Sequence, residues 1–379
     1  MKILLLGEYS NVHRTLRDAL RRQGHEVLLC SDGDGWKDYP RDIDLRRTDM
    51  SPIGGVRYLG RIARLLPRWR GYDVVHVVNP DVFTLRAHWN RRLLHLLQRH
   101  NRLLSLGCYG DDYTVVSRMQ DDSYLSYTDF YAAGRPIEHP NNAERTAEWT
   151  VLKRALCEDI TARADCLTAC LYEYWKVYDT PEHRDRLHYV PLPIPVASAD
   201  LIAPLASPAP DAPGTRVRIL VGIQTRRTAV KGTDQMLPLL ERLAAAHPDR
   251  IELEKVENVP FAEYRRLMMH ADVLVDQLYS FTPAMNALEA MSHGLVVISG
   301  GEEEFYDFIG ERELQPIINL RPFDDEANYR TLEASLSDLA HVRRLQHESL
   351  AFIRRHHDAD AVARAYVRIW EDALRRKER

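Results

Sequence analysis

Short apolar runs and helical stretches alternate along this chain in two series, separated by one stretch rich in proline. KILLLG at 2–7 is a continuous apolar run and predicts a first strand. In NVHRTLRDALRRQGHEV, Val12, Leu16, Ala19 and Leu20 recur at helical spacing and Gly24 closes the helix. EVLLC, DVVHVV (73–78), RLLSLG (102–107), DCLTACL (165–171) and LHYVPLPI (187–194) predict further strands. Runs apolar on both faces belong to buried parallel sheets, whose crossovers are helical. Residues 191–215 hold seven prolines and no sustained periodicity, which predicts a linker. The alternation then resumes: VRILVG (217–222), a helix over 233–246, IELEKV (251–256), a helix over 261–270, DVLVDQ (272–277), a helix within 280–294 and LVVIS (295–299). The predicted class is α/β, two Rossmann-like doubly wound parallel-sheet domains facing a cleft. We assign 1–192 to the N-terminal domain, 193–215 to the linker and 216–358 to the C-terminal domain. Residues 359–379 form a helix that packs back on the N-terminal domain.

Composition narrows the function classes. The chain has 379 residues, 45% apolar and 28% charged, with a formal net charge of −4, which suits a globular protein and gives no reason to expect nucleic acid. No apolar run approaches the ~20 residues of a membrane span. MKILLLGEYS is too short in its apolar part for a secretory leader and reads as the first strand. The five cysteines, Cys30, Cys108, Cys157, Cys166 and Cys170, contain no C-x-x-C pair and read as buried hydrophobes in a reduced cytoplasm. No G-x-G-x-x-G follows the first strand, and no Walker loop, H-E-x-x-H or G-x-S-x-G occurs. Asp-Gly-Asp in SDGDGW (31–36) lacks the later ligands of a calcium loop and reads as a Gly-rich turn, so no metal site is expected. His76, within a strand, reads as a hydrogen-bonded core residue.

Two segments of the second series point to an anion. In SFTPAMNALEAMSHG (280–294), Thr282 is placed as N-cap, Pro283 at the first helical position and Gly294 at the C-terminal stop. A buried helix opening at the end of a parallel strand offers unpaired N–H groups, here around Ala284 and Met285, to a phosphate. An ordinary strand–helix unit whose helix end meets only water is the competing reading. In IQTRRTAVKGTDQML (223–237), Arg226 and Lys231 stand five apart, Gly232 turns the backbone and Thr233 caps the next helix. Two such cations at the mouth of a strand suit a pyrophosphate. Between 51 and 102, ten arginines face only Asp73 and Asp81, and 56–69 is amphipathic. That basic segment 56–102 is either a solvated surface or a face for anionic lipid or a phosphate-bearing acceptor.

With these residues in place, the sequence resembles the GT-B glycosyltransferases, in particular the large retaining group that uses nucleotide-diphosphate sugars. Arg226, Lys231 and Gly232 match the arginine and lysine–glycine that grip the donor phosphates in that family. Glu289 in LEAMSHG matches the second glutamate of its donor motif, which holds the ribose hydroxyls. The opening strand–loop–helix resembles the family's N-terminal loop, with Gly7 and Asn11 in the turn. Two departures stand out: Phe281 occupies the place of the first glutamate, and LGCYGDDYTVV has Asp111 and Asp112 where a histidine is frequent. Glu302, in the acidic run 302–304, stands where the family has a further donor-facing loop.

The resemblance implies a cytoplasmic hexosyltransferase of surface-glycan assembly, moving a sugar from a nucleotide-diphosphate-sugar to a glycan or lipid-linked acceptor. It would retain anomeric configuration and need no metal or cofactor, with peripheral contact at the inner face of the membrane. Arg226 and Lys231 would neutralise the leaving diphosphate. Asp111, Asp112 and Glu302 are the catalytic candidates. Two rivals remain open at this point: an isomerase resembling nucleotide-sugar 2-epimerases, and a donor-binding subunit that has lost catalysis through Phe281. The aromatic run DDSYLSYTDFYAAG (121–134) either lines an acceptor groove or packs on itself.

Overall fold

The computed structural model describes residues 1–196, 216–225 and 227–379. Arg226 and most of the proline-rich stretch therefore lie outside the described residues. In chain order the strands are β1 (Lys2–Leu6), β2 (Glu26–Ser31), β3 (Ile43–Asp44), β4 (Val74–Val77) and β5 (Leu103–Cys108). The short pair β6 (Tyr131–Ala132) and β7 (Arg135–Pro136) precedes β8 (Cys166–Ala169) and β9 (Leu187–Tyr189). The second series is β10 (Val217–Ile223), β11 (Ile251–Glu257), β12 (Val273–Val275) and β13 (Val296–Ile298).

The chain divides into two compact units. The first holds 1–118, 144–193 and 359–379, and the second holds 119–143 and 194–358. In the first, seven parallel strands run in the order β3-β2-β1-β4-β5-β8-β9. The central strands β1, β4 and β5 are buried along nearly their whole length, as apolar runs covered on both faces must be. In the second, four parallel strands run β11-β10-β12-β13, over a core of Ile219, Val221, Leu240, Leu243, Val273 and Ile298. Both units are doubly wound α/β layers. Strand order reverses between β1 and β4 in one and between β10 and β12 in the other, and the carboxyl ends at such a reversal are where these folds bind ligands.

Several boundaries differ from the sequence reading. The helix within 280–294 spans Met285–Ser292 with Ala284 as N-cap, so neither Thr282 nor Pro283 serves as placed. The Ser280 hydroxyl donates to the Thr282 carbonyl at 2.5 Å, which holds that residue in a local turn ahead of the helix. Gly294 does close it, at φ 81°. Gly232, at φ 69°, is itself the N-cap of the Thr233–Ala246 helix, so Thr233 is the first helical residue. The amphipathic helix starts earlier than 56: Ser51 accepts from the Gly54 amide at 3.0 Å and the helix runs Pro52–Leu65, leaving Leu66–Trp69 as a 3-10 turn at Pro67. DCLTACL is a strand only over Cys166–Ala169, because Leu171 opens the Tyr172–Tyr178 helix. All five cysteines are free and buried.

The C-terminal helix Ala359–Lys377 belongs to the first unit. Tyr366 and Trp370 are buried, and Trp370 donates to the Ser105 hydroxyl of β5 at 3.1 Å. His76 of β4 joins the same network, reaching Ser105 Oγ at 2.8 Å and the Tyr109 hydroxyl at 3.1 Å. Residues 119–143, which sequence alone placed with the N-terminal domain, group with the second unit.

Candidate functional site

In the second unit, two loops meet at the carboxyl ends of β10 and β12. The first carries a short helix, Thr228–Lys231, followed by Gly232. A Cβ at Gly232 would lie 2.5 Å from Leu278 Cβ, and the Leu278 amide donates to the Lys231 carbonyl at 2.8 Å. Glycine is therefore needed twice at this point, for a positive φ and for the close approach of the other loop.

Lys231 Nζ lies 3.0 Å from Asp276 Oδ1. Asp276 follows β12, its side chain is 1% exposed, and its Oδ1 also accepts from Asn286 in the first turn of the Met285–Ser292 helix at 3.0 Å. Its Oδ2 is buried without a partner. Asn286 in turn reaches the Tyr264 hydroxyl at 3.2 Å. A chain of polar contacts thus joins the lysine to the start of the helix, whose N-terminus no side chain caps. The lysine keeps two further protons to donate. Ala284 and Met285 stand half-buried at that helix start. Glu289 is not a free carboxylate: Arg265 Nε lies 2.7 Å from its Oε1.

Glu302 is nearly closed off from solvent, its side chain 6% exposed. Oε1 accepts from the Tyr127 hydroxyl at 2.9 Å and Oε2 pairs with Arg321 at 3.0 Å. The Tyr127 ring stacks on Phe281 at 4.7 Å between centroids. Within this unit the residue that stands for an expected glutamate is therefore covered by an aromatic partner from 119–143. Sequence reasoning missed Tyr127 and Asp276. The aromatic run 121–134 was the signal for the first, and Tyr127 packs beyond its own segment, on Phe281 in the second unit. Nothing in the apolar run around Asp276 flagged it beyond a lone acid at a strand end.

In the first unit, Asp111 is held by Arg145 through two contacts, Nε to Oδ2 at 2.6 Å and Nη2 to Oδ1 at 2.7 Å. Asp112 is fully buried, accepts from the Val115 amide at 2.8 Å and the Tyr178 hydroxyl at 2.5 Å, and heads the Tyr113–Arg118 helix. Burial pushes its carboxyl up to about 6, against those hydrogen bonds. Gly7 has φ 83° and would bring a Cβ to 2.3 Å from Val78 Cγ1, so the turn after β1 is pressed against the strand end of β4. Asn11 is left-handed at φ 73° and its Oδ1 is buried without a partner. Between them lies Glu8, absent from the sequence candidates. It accepts from the His13 and Arg14 amides at 3.1 and 2.8 Å, and burial pushes its carboxyl up to about 8. A carboxyl from within the chain thus meets the free amides at the start of the first helix.

Of the sequence candidates, Lys231, Gly232, Ala284 and Met285 come together at one sheet edge. Glu289 and Glu302 stand in the same unit, each already paired. Asp111, Asp112, Gly7 and Asn11 belong to the other unit. Arg226 lies outside the described residues. Among the described residues no cluster of histidine, cysteine, aspartate and glutamate could hold a metal ion, and no helix is long and apolar enough to cross a membrane.

Two parallel, doubly wound units of this kind define the GT-B glycosyltransferase fold, and the chain has that fold. Sucrose-phosphate synthase from Thermosynechococcus elongatus superposes over 98% of this chain and 99% of its own, with a TM-score of 0.59 at 16% identity. The Anabaena protein HepE, solved with UDP-glucose, covers 98% of this chain and 100% of its own at a TM-score of 0.58 and 11% identity. The catalytic domain of Arabidopsis thaliana starch synthase IV, bound to ADP and acarbose, covers 99% of each at 0.57 and 11%. No family model matches the chain, and no curated protein matches it in sequence.

Proposed function

We propose that the chain is a glycosyltransferase that moves a sugar from a nucleotide-diphosphate-sugar to a glycan or lipid-linked acceptor. The observation that carries the reading is the junction of Lys231, Asp276 and Asn286, which sets an ammonium beside an uncapped helix start at the β10/β12 reversal. Such a pair stabilises charge developing on a departing diphosphate without a metal ion, and no cofactor besides the donor substrate is needed. Arg226 is proposed to add a second cation, and Glu289, once released from Arg265, to orient the ribose. Retention of configuration, a hexose as the transferred sugar, a cytoplasmic setting in surface-glycan assembly and an acceptor held near Gly7 and Asn11 are proposed on the resemblance alone.

Neighbours of this fold solved with UDP-glucose and with ADP support a nucleotide donor. The isomerase reading is not favoured: it needs an acid and a base at the sugar, and Asp111, Asp112 and Glu302 are each engaged within their own unit. The experiment is a calorimetric screen of UDP, GDP, ADP and their sugars against the full chain, with Arg226→Ala and Lys231→Ala as controls. Micromolar binding of one diphosphate, lost in both variants, followed by slow hydrolysis of its sugar derivative, supports an active transferase. Binding without turnover would leave a donor-binding subunit. No nucleotide binding at all would sink the reading.

A further inference from the structure

The loops around the junction of Lys231, Asp276 and Asn286 leave one direction open for a nucleoside. On the β12/β13 side they are closed against each other. A Cβ at Gly300 would lie 2.4 Å from the Ser280 carbonyl oxygen, and Glu302 is enclosed by Tyr127 and Arg321. On the other side the Phe261–Met268 helix borders the junction. Its Tyr264 hydroxyl meets Asn286 at 3.2 Å, and a Cβ at Gly222 of β10 would lie 2.7 Å from the Tyr264 ring. Arg265 of the same helix meets Glu289. The residues proposed for phosphate and ribose thus adjoin this helix, and residues 257–260 lead into it from β11.

That connection carries an exposed carboxylate held in one place. Glu257 ends β11 beside Ile223 of β10. Its Oε1 accepts from the Thr225 hydroxyl at 2.8 Å, and the same hydroxyl accepts from the Asn258 side-chain amide at 2.7 Å. Asn258 is left-handed at φ 50°, and its backbone amide donates to the Ile223 carbonyl at 3.1 Å. Thr225 lies on the loop that leads to Lys231, where its carbonyl accepts from the Thr228 hydroxyl at 3.2 Å. Glu257 Oε2 accepts no hydrogen bond, and the carboxylate meets no cation, among the described residues. Ordering an exposed side chain costs conformational entropy. A ligand with N–H donors would find this acceptor already oriented.

We propose that Glu257 selects a guanine nucleotide as the donor, its carboxylate accepting from both N1–H and the N2 amino group of the base. A carboxylate is acceptor-only and takes two parallel donors. Guanine presents two such donors side by side. Uracil flanks its N3–H with two carbonyl oxygens, and adenine sets an acceptor nitrogen beside its amino group, so a carboxylate repels both edges. This selectivity rests on the nucleotide-donor reading above and names the base within it.

The test is calorimetric titration of the full chain, and of Glu257→Gln, with GDP, inosine diphosphate, UDP and ADP. GDP should bind at least ~10-fold tighter than UDP or ADP, and inosine diphosphate, which lacks the N2 amino group, about 10-fold weaker than GDP. Glu257→Gln should weaken GDP by roughly 10- to 100-fold, leave UDP unchanged and shrink the gap between GDP and inosine diphosphate to under about threefold. Glu257 is exposed, so the variant should keep the native denaturation midpoint. UDP or ADP bound as tightly as GDP, or an undiminished gap in the variant, overturns the base assignment and leaves the donor reading standing. Equal weakening of every nucleotide in Glu257→Gln overturns it in favour of a loop-supporting role. Binding of no nucleotide by the unmodified chain removes both.

Discussion

At the residue scale the donor region is organised by a lysine that is not free. Lys231 and Asp276 share a hydrogen bond in a site where the carboxylate is almost wholly enclosed. Removing the lysine leaves that carboxylate buried with Asn286 as its remaining partner. Lys231→Ala is therefore expected both to weaken diphosphate binding by roughly 10- to 100-fold and to lower stability, whereas Lys231→Ala with Asp276→Asn should restore stability without restoring binding. Calorimetry beside thermal denaturation separates the two effects; recovery of binding in the double variant would count against a phosphate role for the lysine. Gly232→Ala places a methyl group 2.5 Å from Leu278 at a positive φ. A loss of about 2–3 kcal/mol is expected in urea denaturation. A change below about 0.5 kcal/mol would show that the two loops part easily.

At the scale of elements, 119–143 is the segment whose place follows least from its position in the sequence. It carries Tyr127 onto Phe281 and Glu302 in the second unit, and Arg135 over the Phe323 ring at 5.3 Å. Tyr127→Phe keeps the stacking and deletes the donor to Glu302, so it should cost about 1–2 kcal/mol. It should also speed proteolytic cutting within 119–143, measured by timed digestion and mass spectrometry; an unchanged pattern would mean that the aromatic stack alone holds the segment. The Ala359–Lys377 helix is the other long-range element. Because Tyr366 and Trp370 lie in the core of the first unit, a chain ending at residue 358 should lose cooperative unfolding of that unit rather than merely shed a tail.

For the molecule as a whole, pH acts through groups buried in the first unit. His13 is held down to about 4 and His76 well below its ordinary value, in both cases first by burial. Both bind protons more readily when unfolded, so stability falls as pH drops from about 6.5 towards 4. Glu8 acts in the other direction. Its carboxyl, raised to about 8 by burial, binds a proton in the folded state, so stability falls as pH rises from about 4.5 to 8. Their opposition predicts a maximum between these limits. His13→Gln should flatten the acid limb by up to about 3 kcal/mol, checked by denaturation midpoints from pH 4 to 8. An acid limb of unchanged slope would assign it to carboxylates elsewhere.

Much of the architecture was legible because it depends on local pattern. KILLLG and DVVHVV are buried on both faces, a pattern that strands between layers of helices satisfy. Gly294 and the 233–246 helix were legible for the same reason: stop signals and 3.6-residue spacing act within a few residues. The start at Met285 rather than Pro283 was not, since it depends on a hydroxyl–carbonyl contact that competes with a helix cap. Lys231 and Gly232 could be picked out as phosphate-type residues, but not the Asp276 that holds the lysine or the Leu278 that requires the glycine, because those partners lie over forty residues away. Likewise the arginines of 51–102 were visible as charge, while the exposure of Ile53 and Val56 became visible only once Gly54, Tyr58 and Ile62 had turned inward. Periodicity and punctuation are properties of neighbours along the chain, so they determine strands, helices and class. Which carboxylate is paired, which aromatic covers Phe281 and which helix face stays wet depend on contacts between distant segments, and only the tertiary structure decides them.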